Sequence, residues 1–221
     1  DSITLTSTQV LGRPIAESTL PEDIELVINS QIVTNGGSIP ELVVIDNKLL
    51  EKNLALQYLE MTAAAKSEGI SIKLNSGFRP PYGVGLTVQT SKGRTLPVTT
   101  QEGLRAPQSR WKNRQDWTGD DQSFILEAPS SNFTPVTAPP GRSNHGNGIS
   151  VDLVTGRRSK GTLKEDVYTW LINNSWKYGF VRSVRSEEWH FDYLPEIANG
   201  PYAKLEGTDA NLFFSDLGLS A

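Results

Sequence analysis

The chain of 221 residues contains only two histidines, and each lies among residues that can bind a metal ion or act beside one. His145 lies in a loop that runs into Asp152, and His190 follows Glu187 closely in a second segment. A catalytic zinc site takes three nitrogen or oxygen ligands from the protein and keeps one position open for water. Because His145, Asp152 and His190 supply that number, the pattern predicts a candidate metal site. A lone histidine is more often an ordinary surface or core residue, so spacing alone supports no more than this.

The residues that lead to Asp152 have the period of a β-strand. Small or polar residues alternate with apolar ones from Gly148 to Leu153, which places Asp152 on the face opposite the apolar core. The loop that holds His145 is rich in Gly and Asn and can bend this residue back towards the strand. Glu187 need not bind the metal, since a carboxylate there could act as the general base on water. Glu187 and Glu188 also fit a solvated acidic pair.

Arg79 follows another predicted strand, because the residues from Ile70 to Gly77 alternate in the same way. A guanidinium stays charged and offers a planar fork of donors, which suits a carboxylate or a developing oxyanion. The alternative is a surface arginine in the turn before Pro80 and Pro81.

Two segments have the apolar spacing of amphipathic helices. The first runs from Asp46 to Ser67, with Asp46 as the predicted N-cap and Gly69 as the stop. The second begins at a capping box of Thr162 with a glutamate three positions later, and it ends at Gly179.

Short strands are predicted on either side of these helices. Residues 23–33 fit a short strand or a helix, and the segments 180–184 and 187–193 fit two strands that return Glu187 and His190 to the site. In a regular strand Trp189 points opposite to His190, so it is predicted to be a packing residue that fixes the ligand.

Residues 80–140 form a long segment between Arg79 and His145. Its first part predicts a β-hairpin on either side of residues 91–93. Its middle interleaves basic and tryptophan residues: Arg105, Arg110, Trp111, Lys112, Arg114 and Trp117. We interpret this part as the wall of a groove for an acidic peptide or a glycan, with a solvated or packed loop as the alternative.

Composition excludes several classes of function. The formal net charge of −4 does not suggest nonspecific binding of nucleic acid. The chain has no cysteine, so it has neither a disulfide framework nor a thiolate metal site. No apolar run is long enough to span a bilayer.

Three motifs resemble those of the zinc D-Ala-D-Ala carboxypeptidases, which are VanY-like, LAS-type metallopeptidases. The family also includes D-Ala-D-Ala dipeptidases and phage endolysins that cut L-Ala-D-Glu bonds. Its motif S-x-H-x-x-G-x-A-x-D is matched at Ser143, His145, Gly148 and Asp152, with Ser150 in place of the alanine. Its motif E-x-W-H is matched by residues 187–190, and S-G-[FY]-R by residues 76–79. The resemblance covers residues 42–194.

The resemblance implies a role for each of these residues. His145, Asp152 and His190 are the expected ligands of Zn²⁺. Glu187 is the expected catalytic base, and Arg79 is expected to bind the substrate carboxylate or stabilise the oxyanion. Further substrate contacts are expected from the serines of the first motif and from two arginines of the long segment: Ser143, Ser150, Arg110 and Arg114.

The implied fold class is α+β, a small and mainly antiparallel sheet with flanking helices, as in LAS and hedgehog-like zinc peptidases. The expected substrate is a peptidoglycan stem peptide. The expected activity is that of a D-Ala-D-Ala carboxypeptidase or of an L-Ala-D-Glu endopeptidase. The protein is therefore expected to be extracytoplasmic, in the cell wall or periplasm, or phage-associated. The alternatives are a non-catalytic, hedgehog-like zinc-binding module and a phage or injection-particle structural protein that carries a wall-lytic domain.

The predicted domain organisation has three parts. Residues 1–40 form an N-terminal arm, residues 41–195 form the zinc peptidase domain with the insertion 80–140, and residues 196–221 form a C-terminal tail. The arm or the tail is expected to contact a phage particle or a second copy of the chain, or to pack on the domain.

Overall fold

Antiparallel strands and a few helices make up the computed structural model, which describes residues 20–30, 32, 40–108, 138, 140–154, 165–184 and 187–198. The elements in chain order are β1 (Glu25–Ser30), β2 (Leu42–Ile45), β3 (Lys48–Glu51), α1 (Lys52–Ser67), β4 (Lys73–Ser76), β5 (Thr87–Thr90), β6 (Thr95–Pro97), α2 (Gln101–Gln108), β7 (Ser150–Val154), α3 (Glu165–Asn174), a 3₁₀ turn (Ser175–Tyr178), β8 (Phe180–Val181), β9 (His190–Tyr193) and α4 (Pro195–Ala198). The predicted α+β class is confirmed. The strands form two sheets where the sequence predicted one.

The first sheet has five strands in the order β3-β2-β1-β5-β6. β1 is its central strand and pairs antiparallel with β2 on one side and with β5 on the other. The strand alternative for residues 23–33 is therefore correct, and so is the predicted hairpin, which consists of β5 and β6. Through β1, this sheet joins part of the predicted arm to the first part of the predicted insertion. The domain boundaries themselves stay predictions.

The predicted start of the first helix at Asp46 is wrong. Asp46 and Asn47 both have positive φ, 51° and 58°, and form the turn of the β2–β3 hairpin, as Asp and Asn readily do. The helix begins at Lys52, because Glu51 is its N-cap and its carboxylate accepts the Leu54 N–H at 3.0 Å. The Asp46 side chain instead accepts the N–H of Leu74 at 3.2 Å and so connects this turn to β4.

The second sheet carries the order β4-β7-β9-β8, and every pair in it is antiparallel. The buried face of α1 packs on it through residues at helical spacing: Leu54, Tyr58, Met61 and Ala65. Leu153 and Phe191, from the two central strands, belong to the same core. Burial of this apolar surface determines which face of β7 points into the core. The alternate residues of β7, among them Asp152, therefore lie on the opposite face.

The second predicted helix begins at Glu165 in the described chain, continues as the 3₁₀ turn, and ends at Gly179 in the left-handed conformation with φ 85°. The predicted capping residue Thr162 lies outside the described residues. The two strands predicted after this helix are confirmed as β8 and β9, with shorter bounds. None of the helices in the described part of the chain has the length and apolar character needed to cross a membrane.

Gly77, the residue after β4, packs tightly against β3. A Cβ atom on Gly77 would lie 2.3 Å from the carbonyl oxygen of Leu49 and 2.6 Å from a methyl carbon of Leu50. The neighbouring Phe78 N–H donates to the same Leu49 carbonyl. The glycine of the S-G-F-R motif is therefore required for close packing.

Replacing Gly77 by alanine is expected to lower the free energy of unfolding by about 3 kcal/mol or more, because the backbone must move to admit the methyl group. Chemical denaturation measures the loss. Gly93→Ala is the control: its methyl group would enter open space, and only its φ of 73° opposes it, which costs about 1 kcal/mol. Equal losses at the two positions would contradict the close-packing argument.

Candidate active site

Three side chains that can bind a metal converge at the second sheet. His145, Asp152 and His190 are all buried, and one ligand atom from each lies within 4.8 Å of the others. Asp152 and His190 face each other as a register pair of β7 and β9. The antiparallel pairing of the two strands thus joins a residue of the first motif to a residue of the last.

The loop before β7 brings in His145. Its backbone forms turns of hydrogen bonds between residues 143 and 149, and Gly148 takes φ 77°, which L-residues avoid. The His145 carbonyl accepts the N–H of Arg79, and its ring Nδ1 lies 2.8 Å from the carbonyl oxygen of Gly77. A carbonyl can only accept, so Nδ1 carries the proton and Nε2 is directed at Asp152 Oδ1, 3.2 Å away.

His190 is held in the same manner by Asp192. Its Nε2 lies 3.1 Å from Asp192 Oδ1, and its Nδ1 lies 3.1 Å from Asp152 Oδ1. One nitrogen of each imidazole therefore donates to an acceptor away from the cluster centre, the Gly77 carbonyl for His145 and Asp192 for His190. The other nitrogen of each ring is directed at Asp152 Oδ1. This arrangement fixes the ring orientation of both histidines before any ligand arrives.

The electrostatics of the cluster favour a cation at its centre. Burial acts to lower the pKa of His190, but hydrogen bonds to Asp152 and Asp192 outweigh burial and raise this pKa to about 10. Burial acts to raise the pKa of Asp152, yet hydrogen bonds from both histidines hold that pKa well below its usual range. Burial dominates at His145 and lowers its pKa. The centre therefore holds two ionised carboxylates close to imidazole nitrogens, a set that suits a bound metal ion.

Glu187 and Arg79 flank this cluster. Glu187 Oε2 lies 3.8 Å from His190 Nδ1, and about a third of the Glu187 side chain is exposed. Arg79 Nη1 lies 3.8 Å from Asp152 Oδ2, while the Nε of Arg79 is buried without a hydrogen-bond partner in the described chain. Burial lowers the pKa of Arg79, opposed by the charges of Asp152 and Glu187. The two side chains thus place a carboxylate and a guanidinium beside the cluster without belonging to it.

A cleft of about 240 Å³ opens beside Arg79 and Asp152. The β2–β3 turn lines it with Asn47 and Lys48, and the segment from Pro97 to Thr99, which leads from β6 towards α2, lines another part. The two sheets therefore meet at this cleft, and the start of the predicted insertion forms part of its wall.

The family model described as VanY, D-alanyl-D-alanine carboxypeptidase, matches residues 47–196. The chain belongs to this family. A D-alanyl-D-alanine carboxypeptidase of Enterococcus faecalis is 37% identical over 68 residues, which span 26% of this chain and 24% of that protein. The resemblance seen in the three motifs is confirmed.

Two solved structures are similar to this VanY family member. One is a mutant of the vancomycin resistance D,D-pentapeptidase VanY from a VanB-type resistance cassette in complex with Zn(II), at 20% identity, with 87% of this chain and 93% of that chain covered and a TM-score of 0.45. The other is VanYB in complex with D-alanine-D-alanine, at 19% identity, with 88% and 92% covered and a TM-score of 0.45.

Other predicted site residues of this VanY family member have surroundings that the structure describes only in part. Ser150 is 1% exposed and its hydroxyl donates to Asp192, and Ser143 is equally buried and accepts the N–H of His145. Their observed contacts are within the protein and not with the cleft. Trp189 lies just before β9 and is 45% exposed, so it does not pack in the core. Arg110 and Arg114 lie outside the described residues, and their role in substrate binding stays a prediction.

Asp192 is the residue of the site that the motifs missed. It is 1% exposed and accepts hydrogen bonds from four side chains: Ser150, Ser183, Asn144 and His190. Burial acts to raise its pKa, but the His190 interactions outweigh burial and lower it. A signal was present in the sequence, because the period of two in β9 places Asp192 on the same face as His190.

Proposed function

We propose that this VanY family member is a zinc-dependent carboxypeptidase that removes the terminal D-alanine from peptidoglycan stem peptides ending in D-Ala-D-Ala. The observation that carries the proposal is the convergence of His145, Asp152 and His190, with Glu187 and Arg79 on their flanks. The family match supports the carboxypeptidase reaction over the endopeptidase alternative. Because the substrate lies outside the cytoplasmic membrane, we also propose an extracytoplasmic location.

The donor set fits zinc. His145 Nε2, Asp152 Oδ1 and His190 Nδ1 are the three atoms that would hold the ion, and nitrogen with carboxylate oxygen is the usual donor set of catalytic zinc. The raised pKa of His190 keeps a proton between its Nδ1 and Asp152 Oδ1 in the absence of metal, and a bound cation would take the place of this proton. When bound, zinc supplies Lewis acidity that polarises the scissile carbonyl and lowers the pKa of water.

Glu187 is the proposed proton carrier. Its carboxylate is close to His190 Nδ1, yet it is absent from the group of three ligand residues, so it is free to contact water and substrate. In the proposed reaction it takes a proton from water as the oxygen bonds to the scissile carbonyl carbon. It then gives this proton to the nitrogen of the leaving D-alanine as the C–N bond breaks.

Arg79 is the proposed anchor for the C-terminal carboxylate. Its side chain is mostly buried and its Nε has no partner among the described residues, so a bidentate carboxylate would satisfy donors that are otherwise left unpaired. A charged anchor this close to the ligands sets the cut near the C-terminus of the peptide. This placement supports an exopeptidase over an endopeptidase.

Mass spectrometry of the products tests the proposal directly. A synthetic stem pentapeptide ending in D-Ala-D-Ala is incubated with the zinc-loaded protein, and the same peptide with a C-terminal carboxamide serves as the control. We expect loss of a single alanine from the free acid and little reaction with the amide. Cleavage between the first two residues would identify an endopeptidase, and an unchanged peptide would favour a non-catalytic zinc-binding module.

Asp192→Asn is expected to weaken zinc binding by about 10- to 100-fold, as is typical when the acceptor behind a ligating histidine is altered. The asparagine keeps the shape but loses the charge that orients His190 Nε2–H. Competition with a chromogenic chelator measures the affinity. Ser183→Ala, which removes a hydroxyl that donates to Asp192 at 2.5 Å without touching either histidine ring, is the matched control. An unchanged affinity in Asp192→Asn would contradict the assigned role.

A further inference from the structure

The cleft beside the site contains a second cation that the proposed reaction does not use. Lys48 lines the cleft together with Arg79. Asp152 is the only acidic residue among its described lining residues, and it is committed to the ligand cluster. Lys48 forms no ion pair within the described part of the chain. The cleft is therefore lined by a lysine that has no ion-pair partner in the described part of the chain.

Asn47, the neighbour of Lys48 in the β2–β3 turn, is oriented as a hydrogen-bond donor. Arg94 Nη1 donates to Asn47 Oδ1 at 3.0 Å, and since a guanidinium cannot accept, the amide oxygen must face it. Arg94 is itself fixed by Glu25 at 2.9 and 2.5 Å. The acceptor atom of Asn47 is thus engaged, and its NH₂ group has no partner in the described chain.

The backbone keeps this donor pair close to the reaction centre. Leu49 follows Lys48 directly, and its carbonyl accepts the N–H of Phe78 at 2.6 Å. Arg79 is the next residue, and the preceding Gly77 carbonyl faces His145. Lys48, the first residue of β3, and Arg79, three residues after β4, therefore line one cleft.

We propose that Asn47 and Lys48 form a second carboxylate subsite, which selects peptides that carry an acidic residue on the acyl side of the scissile bond. This inference rests on the proposed function. The leaving D-alanine has a single carboxylate, which Arg79 binds, so a second carboxylate in the same cleft must belong to the acyl part of the peptide. An ammonium and an amide NH₂ offer only donors, which suits a carboxylate and disfavours a carboxamide.

The test uses two peptides that end in D-Ala-D-Ala and differ in one group, a carboxylate or a carboxamide on the residue before that pair. KM and kcat are measured for the unmodified protein and for Lys48→Ala, Lys48→Arg and Lys73→Ala. Lys73 is the control, because it is an exposed lysine of β4 that does not line the cleft. We expect the unmodified protein to favour the acidic peptide by about fivefold in KM, the scale of a partly exposed ion pair.

Lys48→Ala is expected to abolish this preference without a change in kcat, because the lost contact is present equally in ground and transition states. Lys48→Arg is expected to keep most of it, and Lys73→Ala all of it. No preference in the unmodified protein, or a preference that survives in Lys48→Ala, overturns the subsite.

If neither peptide is hydrolysed, the proposed function fails, and calorimetric Kd values for the same two peptides decide the subsite. Tighter binding of the acidic peptide that requires Lys48 supports the subsite. Equal binding, or no binding, overturns it.

Discussion

His145→Gln is expected to lose bound zinc and to reduce D-alanine release by about a thousandfold or more, since a catalytic metal supplies several kcal/mol of transition-state stabilisation. Glutamine keeps a polar side chain of similar reach, but it does not reproduce an imidazole nitrogen directed at Asp152 with its partner nitrogen on the Gly77 carbonyl. Elemental analysis of the purified variant measures zinc, and steady-state kinetics measures the reaction.

Asn147→Ala is the matched control, because Asn147 lies exposed in the same loop. It is expected to keep both zinc and activity. Circular dichroism of both variants separates loss of the ligand from loss of the fold. A folded His145→Gln protein with a full equivalent of zinc and normal turnover would show that the metal is held elsewhere.

Glu187→Gln is expected to lower kcat by about 10²- to 10⁴-fold, the usual contribution of a general acid–base group. Zinc content is expected to stay at the level of the unmodified protein, because Glu187 flanks the three ligands and is not one of them. The amide keeps the size of the side chain and removes its ability to take a proton. The combination of full metal content with lost turnover distinguishes a base from a ligand.

Glu188→Gln provides the control, since it removes the adjacent carboxylate and is expected to change kcat little. If zinc is lost from Glu187→Gln, Glu187 is a ligand. If the loss of turnover appears in Glu188→Gln instead, the base has been assigned to the wrong carboxylate.

The ligand cluster was predictable from sequence because two of its members lie in one local unit. His145 and Asp152 are separated by a glycine-rich loop and the first residues of β7, and the alternation of β7 determines which face Asp152 occupies. His190 is distant in sequence, and the number of available ligands together with the motif connected it to the other two. The register between β7 and β9 then places His190 opposite Asp152.

Two features were not predictable, for different physical reasons. The central position of β1 depends on pairing with β2 and β5, which are distant along the chain, and local periodicity contains no information about strand neighbours. Asp46 was misassigned because Asp is favoured both at helix N-caps and in turns with positive φ. Only the hydrogen bonds of the folded chain distinguish an N-cap from a turn residue. Here they show that Glu51 is the N-cap of α1.

The cleft contains residues that a sequence motif predicted and residues that only the fold identifies. Arg79 was identified from its motif, whereas Lys48 and Asn47 carry no motif and acquire a role only because the two sheets meet beside Asp152. The orientation of Asn47 depends in turn on Arg94, a residue of the β5–β6 hairpin that lies within the predicted insertion. Residues that recognise the acyl part of a substrate are therefore more difficult to infer than those that perform the reaction.

Zinc titration of the metal-free protein tests the central claim most directly. Zinc is removed with a chelator, the chelator is dialysed away, and D-alanine release from a peptide ending in D-Ala-D-Ala is measured after each addition of zinc. We predict no release without metal, a linear rise with added zinc, and saturation at about one equivalent per chain, as expected for a single three-ligand site. Full release by the metal-free protein, or no release at any zinc concentration, would contradict the account.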